Sequence, residues 1–245
     1  MESYSTLNHA RLLDTNRSVC EIQFSQILSF IHASPFDPPE HIRQFYSSMR
    51  NRRRQHDKFL LHALHESPSL KTFGTEPTSS QIIVSSPFRT RHLVRDFAAD
   101  VLDILDGART PVVWILHKPS SDISEQKLIT RIEVVKQLVY QILQKNHTML
   151  DERSFSLSAV RFQSARTENE WFALLGSVLA GFKQIYIVVD TALLGEIEEE
   201  RLTTTWLKRF RELFAELRNR PNSTVVKVLF INYKPTFTQG LAAEY

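Results

Sequence analysis

The spacing of apolar positions divides the chain into a helical front and an alternating remainder. Ile22, Phe24, Ile27, Leu28 and Ile31 recur at helical spacing, and Pro35, Pro38 and Pro39 then end that helix. A second helix is predicted from Glu40 to about Glu66, with Ile42, Phe45, Met49, Leu60, Leu61 and Leu64 on its apolar face. The stretch from Pro68 to Ser80, rich in Ser, Thr, Pro and Gly, reads as a linker. The first domain boundary is therefore set at residues 1–75, a helical segment with its linker, and 76–245 reads as an α/β domain.

From Gln81 onward short β-branched runs alternate with long helical periods, the pattern of parallel βα units. The predicted strands are Gln81–Ser85, Pro111–His117, Gln184–Asp190 and Thr224–Asn232. Each is almost continuously apolar, as a sheet covered on both faces requires. Leu93, Val94, Phe97, Val101, Leu102 and Leu105 form one helical stripe, with Gly107 as its expected C-terminal cap. Leu128, Ile132, Val135, Val139 and Ile142 form another. Thr167 with Glu170 makes a capping box before Trp171, Leu174, Leu175 and Val178. Leu202, Trp206, Phe210, Leu213 and Leu217 form the last stripe, and Pro221 follows it. These aromatic and aliphatic rows read as core packing.

The order of these elements resembles the NTPase core of NACHT-type STAND proteins, in particular the large fungal set with divergent copies. The likeness rests on VVKQLVYQIL (Val134–Leu143), NEWFALLGSVL (Asn169–Leu179), QIYIVVD (Gln184–Asp190) and VVKVLFINYKP (Val225–Pro235), and covers roughly residues 80 to 235. It implies a P-loop NTPase-like parallel sheet with strands in the spatial order first, fourth, third, second. It also implies a fifth strand beyond the first, which this sequence does not reach, so a truncated member or a fragment is expected. The resemblance puts Asp190 in the place of the Walker B carboxylate, whose task is to hold Mg²⁺ beside nucleotide phosphates. Read from the residues alone, Asp190 is a carboxylate that ends a buried strand and caps a turn.

The phosphate-binding loop is missing. Such a loop needs glycines, so that successive N–H groups wrap the phosphates, and a lysine to reach the terminal ones. The sequence there is SSPFRTRHLV (Ser85–Val94), with no Gly between Gly74 and Gly107 and no Lys between Lys71 and Lys118. Ser86 and Pro87 read instead as an N-cap and first helical residue. Behind Asp190 come Thr191, Ala192, Leu193 and Leu194, so no acid stands ready to position a water. Glu196, Glu198, Glu199 and Glu200 suit the start of the following helix. Where relatives often carry a phosphate-sensing Arg at the end of the fourth strand, this chain has Asn232, Tyr233 and Lys234.

The expectation is a non-catalytic NTPase-like module, a pseudoenzyme working through a protein partner as scaffold or regulator, with no cofactor. The alternative is a divergent switch binding ATP or GTP with Mg²⁺. It would use the helix N-terminus at Ser86, Arg89, Thr90 and Arg91, together with Lys234 and a metal on Asp190. Otherwise both arginines are solvated, or loosely paired with surface acids at little gain in stability.

Composition narrows the remaining classes. Acids and bases nearly balance at a formal charge of +3, so nucleic-acid binding is not expected. The dense basic run RNRRRQHDK (Arg50–Lys58) reads as a solvated helix face. His56, His62 and His65 lie close in sequence and a helix could place His62 and His65 on one side, but no cysteine is near and no third ligand stands at convincing metal spacing. The single cysteine, Cys20, rules out an internal disulfide and fits an intracellular, cytoplasmic location. No apolar run approaches the roughly 20 residues that span a bilayer, so no membrane role is expected.

Overall fold

The computed structural model describes residues 15, 18–19, 21–31, 36–52, 55–117, 129–145, 159–194, 199–220 and 223–234. Cys20, Pro35, Leu128, Glu196, Glu198, Pro221 and Pro235 lie outside them, as do the side chains of His56, Glu199, Glu200, Leu202 and Lys234. Helix α1 (21–31) is followed by α2 (Pro39–Asn51), α3 (Gln55–His65) and α4 (Pro68–Thr75). Then come β1 (Ser80–Pro87), a 3₁₀ turn (Phe88–Thr90), α5 (Arg91–Gly107), β2 (Val112–Ile115) and α6 (Arg131–Lys145). The chain continues through α7 (Ala159–Ser164), α8 (Glu168–Leu179), β3 (Gln184–Asp190), a 3₁₀ turn (Thr191–Leu194), α9 (Glu199–Arg218) and β4 (Val225–Lys234).

The four strands form one all-parallel sheet in the order β1-β4-β3-β2, which is the order expected from the resemblance. The β-branched runs alternate their side chains between two cores, as the pleat requires. Val113, Ile115, Ile187, Val189, Val228 and Phe230 pack under α6, α8 and α9, where Ile27 and Ile31 of α1 also join. Trp114, Val188, Leu229 and Ile231 face Val94, Phe97 and Leu102 of α5, with Ile42, Tyr46 and Leu61 of α2 and α3. The capping box of α8 is present: the Glu170 N–H donates to Thr167 Oγ1 (3.3 Å), and the Thr167 N–H to Glu170 Oε2 (2.8 Å).

Four expectations change. The single helix from Glu40 to Glu66 is two helices, with Arg52 closing the first. An unbroken helix of that span would run about 40 Å. The break folds α3 back, so that Arg50 and His65 both meet Asp100 of α5. The linker from Pro68 to Ser80 is mostly helix α4. Pro68 supplies a fixed φ in its first turn, and Phe73 is buried against Tyr186 with ring centroids 6.2 Å apart. The Lys227 ammonium lies 5.4 Å from that Phe73 ring and donates to Ser80 Oγ (2.9 Å).

The third change is at the start of α5. Ser86 and Pro87 do not open this helix. β4 is ten residues long and holds β1 in register as far as Pro87, opposite Lys234, so the helix begins at Arg91. The fourth concerns Gly107, which is the last helical residue rather than the left-handed cap. Arg109 takes that conformation (φ 53°), and Thr110 N–H reaches back to the Leu105 carbonyl (2.9 Å), closing a Schellman motif. A left-handed residue with a Cβ costs about 1–2 kcal/mol. Arg109→Gly is therefore expected to raise the unfolding free energy by about 1 kcal/mol, measured by urea denaturation.

Candidate functional site

In open parallel sheets the carboxyl ends of the strands are where side chains converge on a ligand. Here that end holds a closed polar cluster. Asp190 is the last residue of β3, paired in register with Ile231, and it is 0% exposed. One of its oxygens, Oδ1, accepts the Ala192 N–H (3.1 Å), because the chain turns at once into the 3₁₀ segment. The other, Oδ2, accepts the His117 N–H (3.2 Å) from just past β2 and the Arg95 Nε–H (3.4 Å) from α5.

Arg95 lies a little over one turn into α5, on the same line as Ala98, Ala99 and Leu102, all buried. That placement carries its guanidinium inward, leaving the side chain 7% exposed. Its Nη2 donates to the Tyr233 hydroxyl and lies 3.3 Å from His117 Nδ1. A guanidinium offers only donors, so Nδ1 is the acceptor in that contact. The guanidinium carbon also stands 4.8 Å from the Tyr233 ring centre. Above the cluster, the Tyr46 hydroxyl of α2 donates to the His117 carbonyl. Beside it, Thr191 Oγ1 lies 3.1 Å from both the Ile231 carbonyl and Asn232 Oδ1.

Burial pushes the Asp190 carboxyl above its ordinary value, while the Arg95 charge and the N–H groups of Ala192 and His117 pull it down. For Arg95, burial works against the charge, yet Asp190 and the surrounding oxygens hold its pKa up. Burial likewise raises the Tyr46 phenol. The result is a buried ion pair in which two backbone N–H groups also meet the carboxylate, and the Tyr233 hydroxyl and His117 Nδ1 meet the guanidinium, the kind of added hydrogen bonding such pairs need.

This donor set does not suit Mg²⁺. A hard dication needs several accessible oxygens, with waters in an octahedron. Asp190 supplies one sealed carboxylate, with both oxygens engaged by N–H donors and a cation against it. Among the described residues no cluster of three or more His, Cys, Asp or Glu side chains is arranged to hold a metal.

The other candidate residues lie toward the surface. Ser86 Oγ lies 3.2 Å from the Pro87 carbonyl, and Thr90, the N-cap position of α5, donates to that same carbonyl (3.2 Å). Arg89 is exposed and Arg91 half-buried. Lys234 ends β4 beside Pro87. Arg95, rather than Arg89 or Arg91, is the cation that meets Asp190. Sequence reasoning passed over it, although a charge on the core-facing line of an amphipathic helix was the available signal.

Part of the basic run is also spoken for. Arg50 pairs with Asp100 and with Asp103 (2.9 Å), and Arg43 with Asp103 (2.9 Å) and Asp106 (3.0 Å). His65 turns toward Asp100 (3.5 Å) and the Phe97 ring, while His62 is exposed, so these two histidines do not converge.

Fold and cluster together define an α/β protein with a four-stranded parallel sheet flanked by helices, in which an internal Arg–Asp pair fills the carboxyl end of the central strands. No protein-family model matches the chain, and neither does any curated protein or solved structure. Among the described residues no helix is long and apolar enough to cross a membrane.

Proposed function

We propose that this chain is a degenerate, non-catalytic module of the P-loop NTPase type, related to the NACHT and STAND proteins, that works through protein contacts as scaffold or regulator. The observation that carries this reading is the fate of Asp190. The carboxylate in the Walker B position is buried and bound to the protein's own Arg95 and to two backbone N–H groups. A guanidinium there supplies the positive charge that Mg²⁺ would bring, so the core no longer needs a ligand to neutralise that carboxylate. The strand order and the loss of every glycine and lysine from the first turn support the same view. We place the protein in the reducing interior of the cell, on the strength of its single cysteine.

Thermal unfolding with ATP, GTP or ADP at millimolar concentration, with and without Mg²⁺, tests the reading. A ligand that binds only the folded state stabilises it by about 2.7 kcal/mol at a hundred times its dissociation constant. The expected result is no shift in the unfolding midpoint with any nucleotide. A Mg²⁺-dependent rise would overturn the reading. It would favour instead a switch that binds nucleotide at Ser86, Arg89, Thr90 and Arg91.

A further inference from the structure

We propose that α2 is a detachable cover over the Arg95–Asp190 cluster, fastened to α5 by a zipper of charges and lifted when those charges are screened. This does not depend on whether the protein binds nucleotide.

The zipper follows from helical spacing. Arg43, Tyr46 and Arg50 stand three and four residues apart, on one face of α2. Asp100, Asp103 and Asp106 stand three residues apart along one side of α5. Asp103 joins the two arginines: its Oδ1 accepts from Arg43 (2.9 Å) and its Oδ2 from Arg50 (2.9 Å). Arg43 reaches on to Asp106 (3.0 Å) and Arg50 to Asp100. The earlier arginine meets the later acids, so α2 runs antiparallel to α5 with its charges in register.

Between the two arginines, Tyr46 turns inward and is buried. Its hydroxyl donates to the His117 carbonyl, and the His117 N–H donates to Asp190. The helix that carries the zipper therefore also closes the cluster. Lifting α2 withdraws the phenol and opens the carboxyl end of the sheet from that side.

The two helices are held very unequally. α5 buries eight of its 17 residues, whereas α2 buries two of its 13, Ile42 and Tyr46. Val94, Phe97, Ala98 and Leu102 of α5 pack with Val84, Leu229 and Ile231 of the sheet, so α5 has its own anchorage when α2 leaves. The five charged side chains of the zipper keep 23–54% of their surface exposed. Such pairs lose little on returning to water and are weakened by salt. A segment with few buried apolar contacts opens while the rest of the molecule stays folded. A cover held by charge more than by apolar area responds to charge.

Amide hydrogen exchange tests the proposal in about 0.1 M and about 1 M sodium chloride, between which the screening length falls from about 10 Å to about 3 Å. The α2 amides are expected to exchange about tenfold faster at high salt, the effect of losing several part-exposed pairs together. Those of β3 and β4 are expected to stay unchanged. Asp103→Asn, which unfastens both arginines, is expected to speed α2 exchange already at low salt. In a Cys20→Ser background, Leu116→Cys reports on the uncovered side, because Leu116 is 1% exposed and shares its core with Ile42 and Tyr46. Its reaction with a disulfide reagent is expected to quicken with salt, while that of Ile187→Cys, buried in the opposite core, is not. Amides of α2 that exchange no faster than those of β3 and β4, an α2 indifferent to salt, or an equal salt response of both cysteines would each overturn the proposal. If Leu116→Cys fails to fold, the exchange of the wild type decides.

Discussion

Replacing Arg95 with methionine is expected to cost about 3–5 kcal/mol of stability at neutral pH, the range for breaking one side of a buried ion pair. The loss comes mostly from what is left behind. Asp190 is 0% exposed, and without Arg95 its charge keeps only the Ala192 and His117 N–H groups as partners. Removing the guanidinium deletes the largest influence holding that carboxyl down, so its pKa in the folded variant rises further above the unfolded value of about 3.9. The sign follows from linkage. A group whose folded pKa is raised contributes stability that is fully present below the unfolded pKa and lost as pH rises through the folded one. The deficit of Arg95→Met therefore shrinks as the solution is acidified and widens toward alkaline pH. Urea titrations of wild type and variant at several pH values read this directly. Adding Asp190→Asn should recover part of the loss, so the double variant falls short of the sum of its parts.

Phe210→Ala is expected to cost a similar amount, about 3–5 kcal/mol, with a different signature. Phe210 is 0% exposed and stands where α8, α9 and β4 meet. Its ring lies 5.4 Å from Phe172, 5.7 Å from Phe230, 6.1 Å from Trp206 and 6.3 Å from Phe214. Four aromatic neighbours cannot all move into the space, so a cavity remains and its contacts are lost. Its immediate ring neighbours are apolar, so the same urea series should show a loss that is flat with pH. Matching pH profiles for the two variants would mean that the Arg95 effect is ordinary packing.

Local chemistry was the legible part of the sequence. The period of the apolar rows set β3 at both ends, placed α5, α6 and α8, and identified Thr167 and Glu170 as a capping pair. The four strand runs pointed to a parallel sheet because both of their faces are apolar. What failed depended on contacts far apart in sequence. The break at Arg52 is forced by how α2 and α3 both lie on α5, whose acids at 100 and 103 are some fifty positions away. Pro87 stayed in strand because β4 backs it, and a local reading of Ser-Pro as a helix start has no access to β4. The candidate site divided in the same way. Asp190 was visible as an acid ending an apolar strand. Arg95 was hidden, because its partners Asp190, His117 and Tyr233 come from three separate strand ends. Tyr46 was hidden for a related reason, since its acceptor is a backbone carbonyl 71 residues away.

If Arg95, and not a metal ion, neutralises the Asp190 carboxylate as proposed, then Asp190 binds no Mn²⁺. Free Mn²⁺ can be counted by electron paramagnetic resonance as the protein is titrated into Mn²⁺ with ATP. Wild type and Asp190→Asn are predicted to leave the same free-Mn²⁺ and Mn²⁺–ATP signals as buffer alone. A bound-Mn²⁺ signal that appears with wild type and vanishes in Asp190→Asn would contradict the account and make Asp190 a metal ligand.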